Sequence, residues 1–168
     1  MFLYVLSAPA WLGGLLQLEP TQFYWFFVLS IAGIMSGAAL SGRLAGRVEP
    51  RQQIRYGFVV MGLAASVNVV LNFLFTAHAA WAMLPVALFS FGWALMVPVV
   101  TLMALDIAPD RRGMASSLQA FIGGMANALV AGVIAPLVMH SALGLSLTSL
   151  AFLGVGLSAW WWVRARVA

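Results

Sequence analysis

The sequence predicts an all-α membrane protein of six transmembrane helices. Three observations predict it. Hydrophobic residues make up 64% of the chain and charged residues only 7%, whereas a soluble domain carries roughly a quarter charged residues. The apolar runs are continuous and lack the alternation of membrane strands, so helices rather than a barrel satisfy the backbone in lipid. All eight basic residues fall in three clusters: Arg43, Arg47, Arg51 and Arg55, then Arg111 and Arg112, then Arg164 and Arg166. Each gap between clusters is long enough for two crossings. The other turns, near Leu18, Ala79 and Ser141, carry no Lys or Arg. Cytoplasmic loops collect positive residues, so this pattern puts all three clusters and both chain ends in the cytoplasm.

At 168 residues, six spans of about 20 residues with short turns fill the chain. The expected spans are 2–17, 23–41, 56–76, 81–105, 114–139 and 145–163. The first is broken by Pro9 and by Gly13-Gly14. From Phe2 to Leu16 there are only 15 residues, roughly 22 Å of helix against a hydrocarbon core of about 30 Å. The expectation is that Met1 lies inside the bilayer or that the polypeptide begins upstream. No basic segment precedes the apolar run, so it is not a secretory signal. Pro20 and Thr21 can start the second helix. Its outer end carries Phe23, Tyr24, Trp25, Phe26 and Phe27, expected to form an interfacial aromatic belt. A long internal loop is expected over 42–55. The third span ends at a tight turn around His78. The fourth carries Pro85 and Pro98. A second internal loop covers 106–113, and the fifth span carries Pro136 near its outer end. The sixth ends in Trp160-Trp161-Trp162, which suits the headgroup level beside Arg164.

Composition excludes several classes. There are no cysteines, so disulfides and thiolate metal sites are out. The excess of basic residues lies in turns rather than on a packed basic face, so it is not a nucleic-acid signal. No His/Asp/Glu grouping has metal-ligand spacing, and no phosphate-binding glycine loop is present. Ser36 and Ser41 lack the Gly-x-Ser setting and the deep His of an intramembrane serine protease. Neither an enzyme nor a metal or other cofactor is expected.

The residues that could carry chemistry each have two readings. Gly33 and Gly37, extended by Ser41, and the Gly123-Gly124, Gly132 and Ala stripe of the fifth span are devices for close helix packing, or else surfaces that slide in a transport cycle. Pro9, Pro85 and Pro98 each remove a backbone hydrogen bond inside a span. They are static kinks, or bending points beside a substrate site. Asn68 and Asn72 share one helix face, and Gln119 and Asn127 lie in the fifth span. Such amides hydrogen-bond between helices or contact substrate in a polar cavity. No Asp, Glu, Lys, Arg or His lies well inside an expected span. A proton-coupled machine needs such a group, so here it would have to come from elsewhere.

The segment Gly42-Arg43-Leu44-Ala45-Gly46-Arg47-Val48-Glu49-Pro50-Arg51 resembles the Gly-x-Leu-Ala-Asp-Arg-x-Gly-Arg-Arg loop signature of the major facilitator superfamily, in the copy found in the C-terminal half. Gly46 stands where the stronger copy has Asp, and Glu49 where Gly is common. Ser7-Ala8-Pro9, the turn from Leu18 to Phe23, and Arg112-Gly113-Met114-Ala115-Ser116-Ser117 are similar to the Bcr/CflA branch of drug exporters. The resemblance implies one half of a twelve-helix fold, made of two inverted three-helix repeats. It implies proton-driven export of small hydrophobic drugs from a bacterial inner membrane, with the coupling acid in an N-terminal half. That half, on the same or a separate chain, the lipid bilayer and the drug would be the partners; nucleic acid would not. Gly42, Arg43, Arg47, Arg51, Asp106 and Arg112 are the candidates for a cytoplasmic gate. Trp93, Met96, Phe121 and Met125, with Asn68, Asn72, Gln119 and Asn127, are the candidates for the cavity wall, since flat and adaptable apolar groups suit varied ligands. Two rival readings are a non-transporting six-helix assembly protein and a half-size transporter acting as a homodimer.

Overall fold

A chain dissolved in lipid must pair its backbone polar groups internally, and a helix does this within each segment. The computed structural model describes residues 2–75 and 79–167. Its helices are α1 (Phe2–Leu6), α2 (Tyr24–Leu44), α3 (Pro50–Leu74), α4 (Ala79–Asp106), α5 (Arg112–Leu129), α6 (Ala135–Val138) and α7 (Ala142–Val167). Two π-helical turns, Pro9–Leu15 and Val130–Ile134, interrupt the first and fifth segments. Among the described residues, five segments are long and apolar enough to cross a membrane: Pro20–Leu44, Pro50–Leu74, Trp81–Asp106, Pro109–Val138 and Ala142–Ala165. The first segment is too short to qualify, yet it is deeply packed, with Leu3, Tyr4, Ala8, Trp11 and Leu12 buried. The turn expected around His78 lies outside the described residues.

The helices outrun the expected apolar spans, and this corrects the first internal loop. It shrinks from 42–55 to 45–49, because α2 continues to Leu44 and α3 starts at Pro50. Proline at the first helical position gives up only an N–H that would have no partner there. Gly42 and Arg43 therefore sit on the last turns of α2, and Arg51 and Arg55 on the first turns of α3. The turn closes with the Arg47 and Val48 amides donating to the Leu44 carbonyl at 2.9 and 3.1 Å. Gly46 has φ 75°, a left-handed geometry that glycine adopts without a steric penalty.

Glycines decide how the helices meet. α4 lies between α2 and α3, and α7 packs on α3. A Cβ at Gly33 would collide with the Ala87 carbonyl oxygen, and one at Gly37 with that of Phe91. On the other side of α4, a Cβ at Gly57 would stand 2.7 Å from the Met96 Cβ, and one at Gly92 would stand 3.0 Å from the Gly57 carbonyl oxygen. The packing reading thus holds for Gly33 and Gly37. It does not hold within this chain for Gly123, Gly124 and Gly132, which have open space where a Cβ would go.

Two apolar clusters fill the bundle. One, opposite the arginine-bearing end, joins Trp11, Leu12, Phe26, Met83, Val86 and Leu145. The other, nearer the arginines, joins Ile54, Phe58, Met61, Ala65 and Leu153. Phe26 corrects the aromatic belt: it is fully buried and meets Trp11 edge-on at 5.5 Å, while Tyr24 and Trp25 stay exposed. The exterior is apolar, with Leu63, Phe73 and Leu137 largely exposed, as expected where lipid is the solvent.

These contacts predict opposite outcomes for two glycine changes. Gly37→Ala overpacks α2 against the α4 backbone and is expected to cost about 1–3 kcal/mol. Gly123→Ala meets nothing and is expected to leave stability unchanged or raise it by up to about 1 kcal/mol. Thermal unfolding of the two variants in detergent checks both.

Candidate functional site

The arginine clusters come together at one end of the bundle. Arg51 and Arg164 line one cleft, and the same two residues share a second with Ile107 at the end of α4. The termini of α3, α4 and α7 are therefore neighbours there. Of the gate candidates, Arg47 lies in the 45–49 turn and is exposed. Gly42, Arg43 and Arg51 are helical and exposed. Asp106 closes α4, and Arg112 opens α5. Their side chains form an ion pair at 2.8 Å, each about 62% exposed. The pair spans a single hairpin, bracing the α4–α5 connection, and does not bridge to the 45–49 turn.

The cavity candidates divide among four places. Trp93, Met96 and Asn127 line a cavity of about 300 Å³ together with Phe58, Phe89 and Phe152. Its walls are aromatic and thioether groups with an amide at the edge, chemistry that suits a small apolar ligand. Asn68 and Asn72 lie in a hydrogen-bonded cluster instead. The Asn68 amide donates to the Tyr4 hydroxyl at 2.6 Å, and the Asn72 amide donates to the Asn68 carbonyl and side-chain oxygens at 2.8 and 2.9 Å. Ser149 on α7 is a further hydrogen-bond neighbour of that hydroxyl. The cluster ties α1, α3 and α7. Gln119 donates to the Thr101 hydroxyl at 3.2 Å, linking α5 to α4. Phe121 and Met125 project from α5 and are 63% and 60% exposed.

Of the three proline candidates, only Pro9 marks a break. It opens the π turn Pro9–Leu15, in which Leu16 N–H reaches back to the Trp11 carbonyl at 3.0 Å. Pro85 and Pro98 lie inside an uninterrupted α4. The second break, Val130–Ile134, precedes Pro136, which has no N–H for the Gly132 carbonyl. The Ala135 N–H bonds instead to the Val130 carbonyl.

The loop expected at 42–55 concealed one residue. Gln53 is buried on α3, and its amide donates to Ser41 on α2 at 2.7 Å and to the Leu95 carbonyl on α4 at 3.0 Å. One side chain thus fastens three helices just inside the arginine end. An amide three residues after a proline helix start was the available signal. By contrast, the buried Ser7 and Ser30 hydroxyls have no partner.

α5 differs from every other long helix. All of its residues except Ala115 are exposed, including Ser116, Ser117, Gln119 and Asn127. Beyond it, Val130, Ile134 and Ala135 rejoin the Trp11 cluster. The far end of the fifth segment is anchored, while the end nearer the arginines is exposed and meets the bundle at Gln119 and Asn127.

Long apolar helices, lipid-facing exteriors and a one-sided arginine distribution define a multi-pass membrane protein. A family model for the Major Facilitator Superfamily matches residues 1–131, and the chain belongs to that family of membrane transporters. No curated protein and no solved structure matches it.

The polar contacts predict three distinct mutational effects. Gln53→Leu strands Ser41 and the Leu95 carbonyl and is expected to lower stability by about 1–2 kcal/mol. Ser30→Ala removes a hydroxyl that has no partner and is expected to be neutral or stabilising by up to about 1 kcal/mol. Asp106→Asn breaks an exposed pair and is expected to change stability by less than about 1 kcal/mol. Unfolding of the three variants in one detergent separates them.

Proposed function

We propose that this chain forms the C-terminal six-helix bundle of an exporter of small hydrophobic compounds in a bacterial inner membrane. The arginine end faces the cytoplasm. Export is driven by proton antiport, with the coupling carboxylate in a second six-helix bundle. The observation that carries this reading is the bare face of α5. An amide left in hydrocarbon is costly, and glycines allow another helix to approach closely. Asn127, Gly123 and Gly124 fit a helix that meets a second bundle rather than lipid. The cavity at Trp93, Met96 and Asn127 supports an apolar substrate, which remote packing groups would hold without a charged anchor.

Arg47 stands free in the short turn between α2 and α3 and serves the cytoplasmic gate. In the complete transporter, Arg47→Ala is expected to slow transport while leaving drug affinity within about twofold, because a gate residue acts on the conformational step. Transport assays and equilibrium drug binding on the same preparation check the split. Equal loss of both would remove Arg47 from the gate. An epitope tag after Ala168 at the native locus tests the larger claim. The expected product runs at about twice the 18.0 kDa of this chain. An 18 kDa product that alone moves a hydrophobic drug against a pH gradient in liposomes would overturn the two-bundle reading in favour of a homodimer.

A further inference from the structure

Two clefts meet at the arginine end, between α3 and α7. The outer one, about 750 Å³, is lined by Arg51, Arg55 and Arg164, with Glu49, Trp160 and Trp161. The inner one, about 530 Å³, runs between α3, α4 and α7 over Ile54, Val100, Met103 and Val163. Both volumes fall in the ~300–1,000 Å³ range of small-molecule sites. Arg51, Phe58, Trp160 and Arg164 belong to both clefts, so they form the wall between a charged chamber and an apolar one.

The charge of the outer cleft is unbalanced, with three guanidinium groups against the single carboxylate of Glu49. Among the described residues the ion pair within 4.0 Å joins Arg112 and Asp106, away from this cleft, so none of the three arginines is held by an acid. Guanidinium groups bind phosphate oxygens through paired, charge-assisted hydrogen bonds. Trp160 is half-buried and Trp161 is 70% exposed, and tryptophan marks headgroup depth. The apolar chamber opens beside the same guanidinium groups. The complementary molecule has an anionic phosphate at one end and a hydrocarbon chain at the other.

We propose that this double cleft binds an anionic glycerophospholipid. Arg51 and Arg164 hold the headgroup phosphate, Arg55 adds to the field at the rim, and an acyl chain lies in the apolar groove between Val100, Met103 and Val163. The bound lipid bridges α3 and α7. Basic pockets between transmembrane helices recognise lipid headgroups by this chemistry. The double cleft adjoins the cavity at Trp93 and Asn127 through Phe58, Met96 and Gly156 but differs from it in carrying arginines, and it calls for no transport step.

The test is native mass spectrometry of the purified full chain with phosphatidylglycerol or phosphatidylcholine added. Phosphatidylglycerol is expected to be retained over phosphatidylcholine. Arg51→Gln and Arg164→Gln are each expected to cut that preference about fivefold. Arg111→Gln, which removes the same charge outside the clefts, is expected to leave it within about twofold. Ala159→Trp fills the apolar groove and is expected to weaken phosphatidylglycerol retention without restoring phosphatidylcholine. Excess inorganic phosphate is expected not to displace the lipid. Equal retention of the two lipids by the unsubstituted chain would overturn the proposal. So would an equal effect of Arg111→Gln, which would indicate bulk charge, or displacement by phosphate, which would indicate a site for soluble anions. The unsubstituted protein decides on the two lipids and on phosphate even if a variant fails to fold.

Discussion

Between helices in a bilayer, burying apolar surface gains little, because the lipid tails are as apolar as the side chains they would replace. What remains is the closeness of backbone contact, and α4 supplies it on two sides. Gly33 and Gly37 bring α2 onto the Ala87 and Phe91 carbonyls, while Gly57 and Gly92 bring α3 onto the opposite flank. Once these helices lie this near, the Gln53 amide can reach both Ser41 and the Leu95 carbonyl. The polar clamp depends on the glycine contacts and would be out of range without them. The same approach lets Ile54 and Phe58 pack with Leu153 of α7, and so fixes the helix ends that carry Arg51 and Arg164.

The bundle therefore divides mechanically. α2, α3 and α4 form a tightly locked unit, with α7 seated on α3. The first segment plugs the end opposite the arginines through Tyr4, Trp11 and Leu12. α5 belongs to this unit only at its far end and through the Gln119–Thr101 hydrogen bond. Low contact and exposed polar groups are the features of elements that move or receive partners. The cavity lined by Trp93, Met96 and Asn127 lies where the locked unit and the loose helix meet.

Much of this was legible in the sequence, for particular reasons. Continuous apolar runs and clustered arginines state the helical membrane class and the common end directly, because the bilayer imposes length and charge rules on any sequence, whereas five of the six expected spans are long and apolar enough to cross a membrane among the described residues. Gly33 and Gly37 were legible as a packing pair because the spacing alone puts them on one face. The role of Gly123 and Gly124 was not, because a small-residue stripe looks the same whether or not its partner helix is in the chain. Gln53 was hidden by the polar residues around it, which made a helix start look like a loop. Asn68 and Asn72 were rightly paired on a face, but their engagement with Tyr4 depends on a contact between residues 64 positions apart. The cavity residues were scattered for the same reason: aromatic and thioether side chains have no local signal that separates lining from lipid contact.

The π turn at Val130–Ile134 has a consequence for the phase of the fifth segment. A π turn accommodates one more residue than an α-turn in the same rise, and each residue advances a helix by about 100°. The two sides of the turn are thus out of step by nearly a third of a revolution. Asn127 and the glycines before it point to one sector, while Ala135 beyond it is turned into the core. Without the extra residue, a single straight helix could not satisfy both sectors. Either its amide-bearing face would rotate away from the Trp93 cavity, or its far end would lose its seat against Trp11. One inserted residue thus lets one segment serve two neighbours.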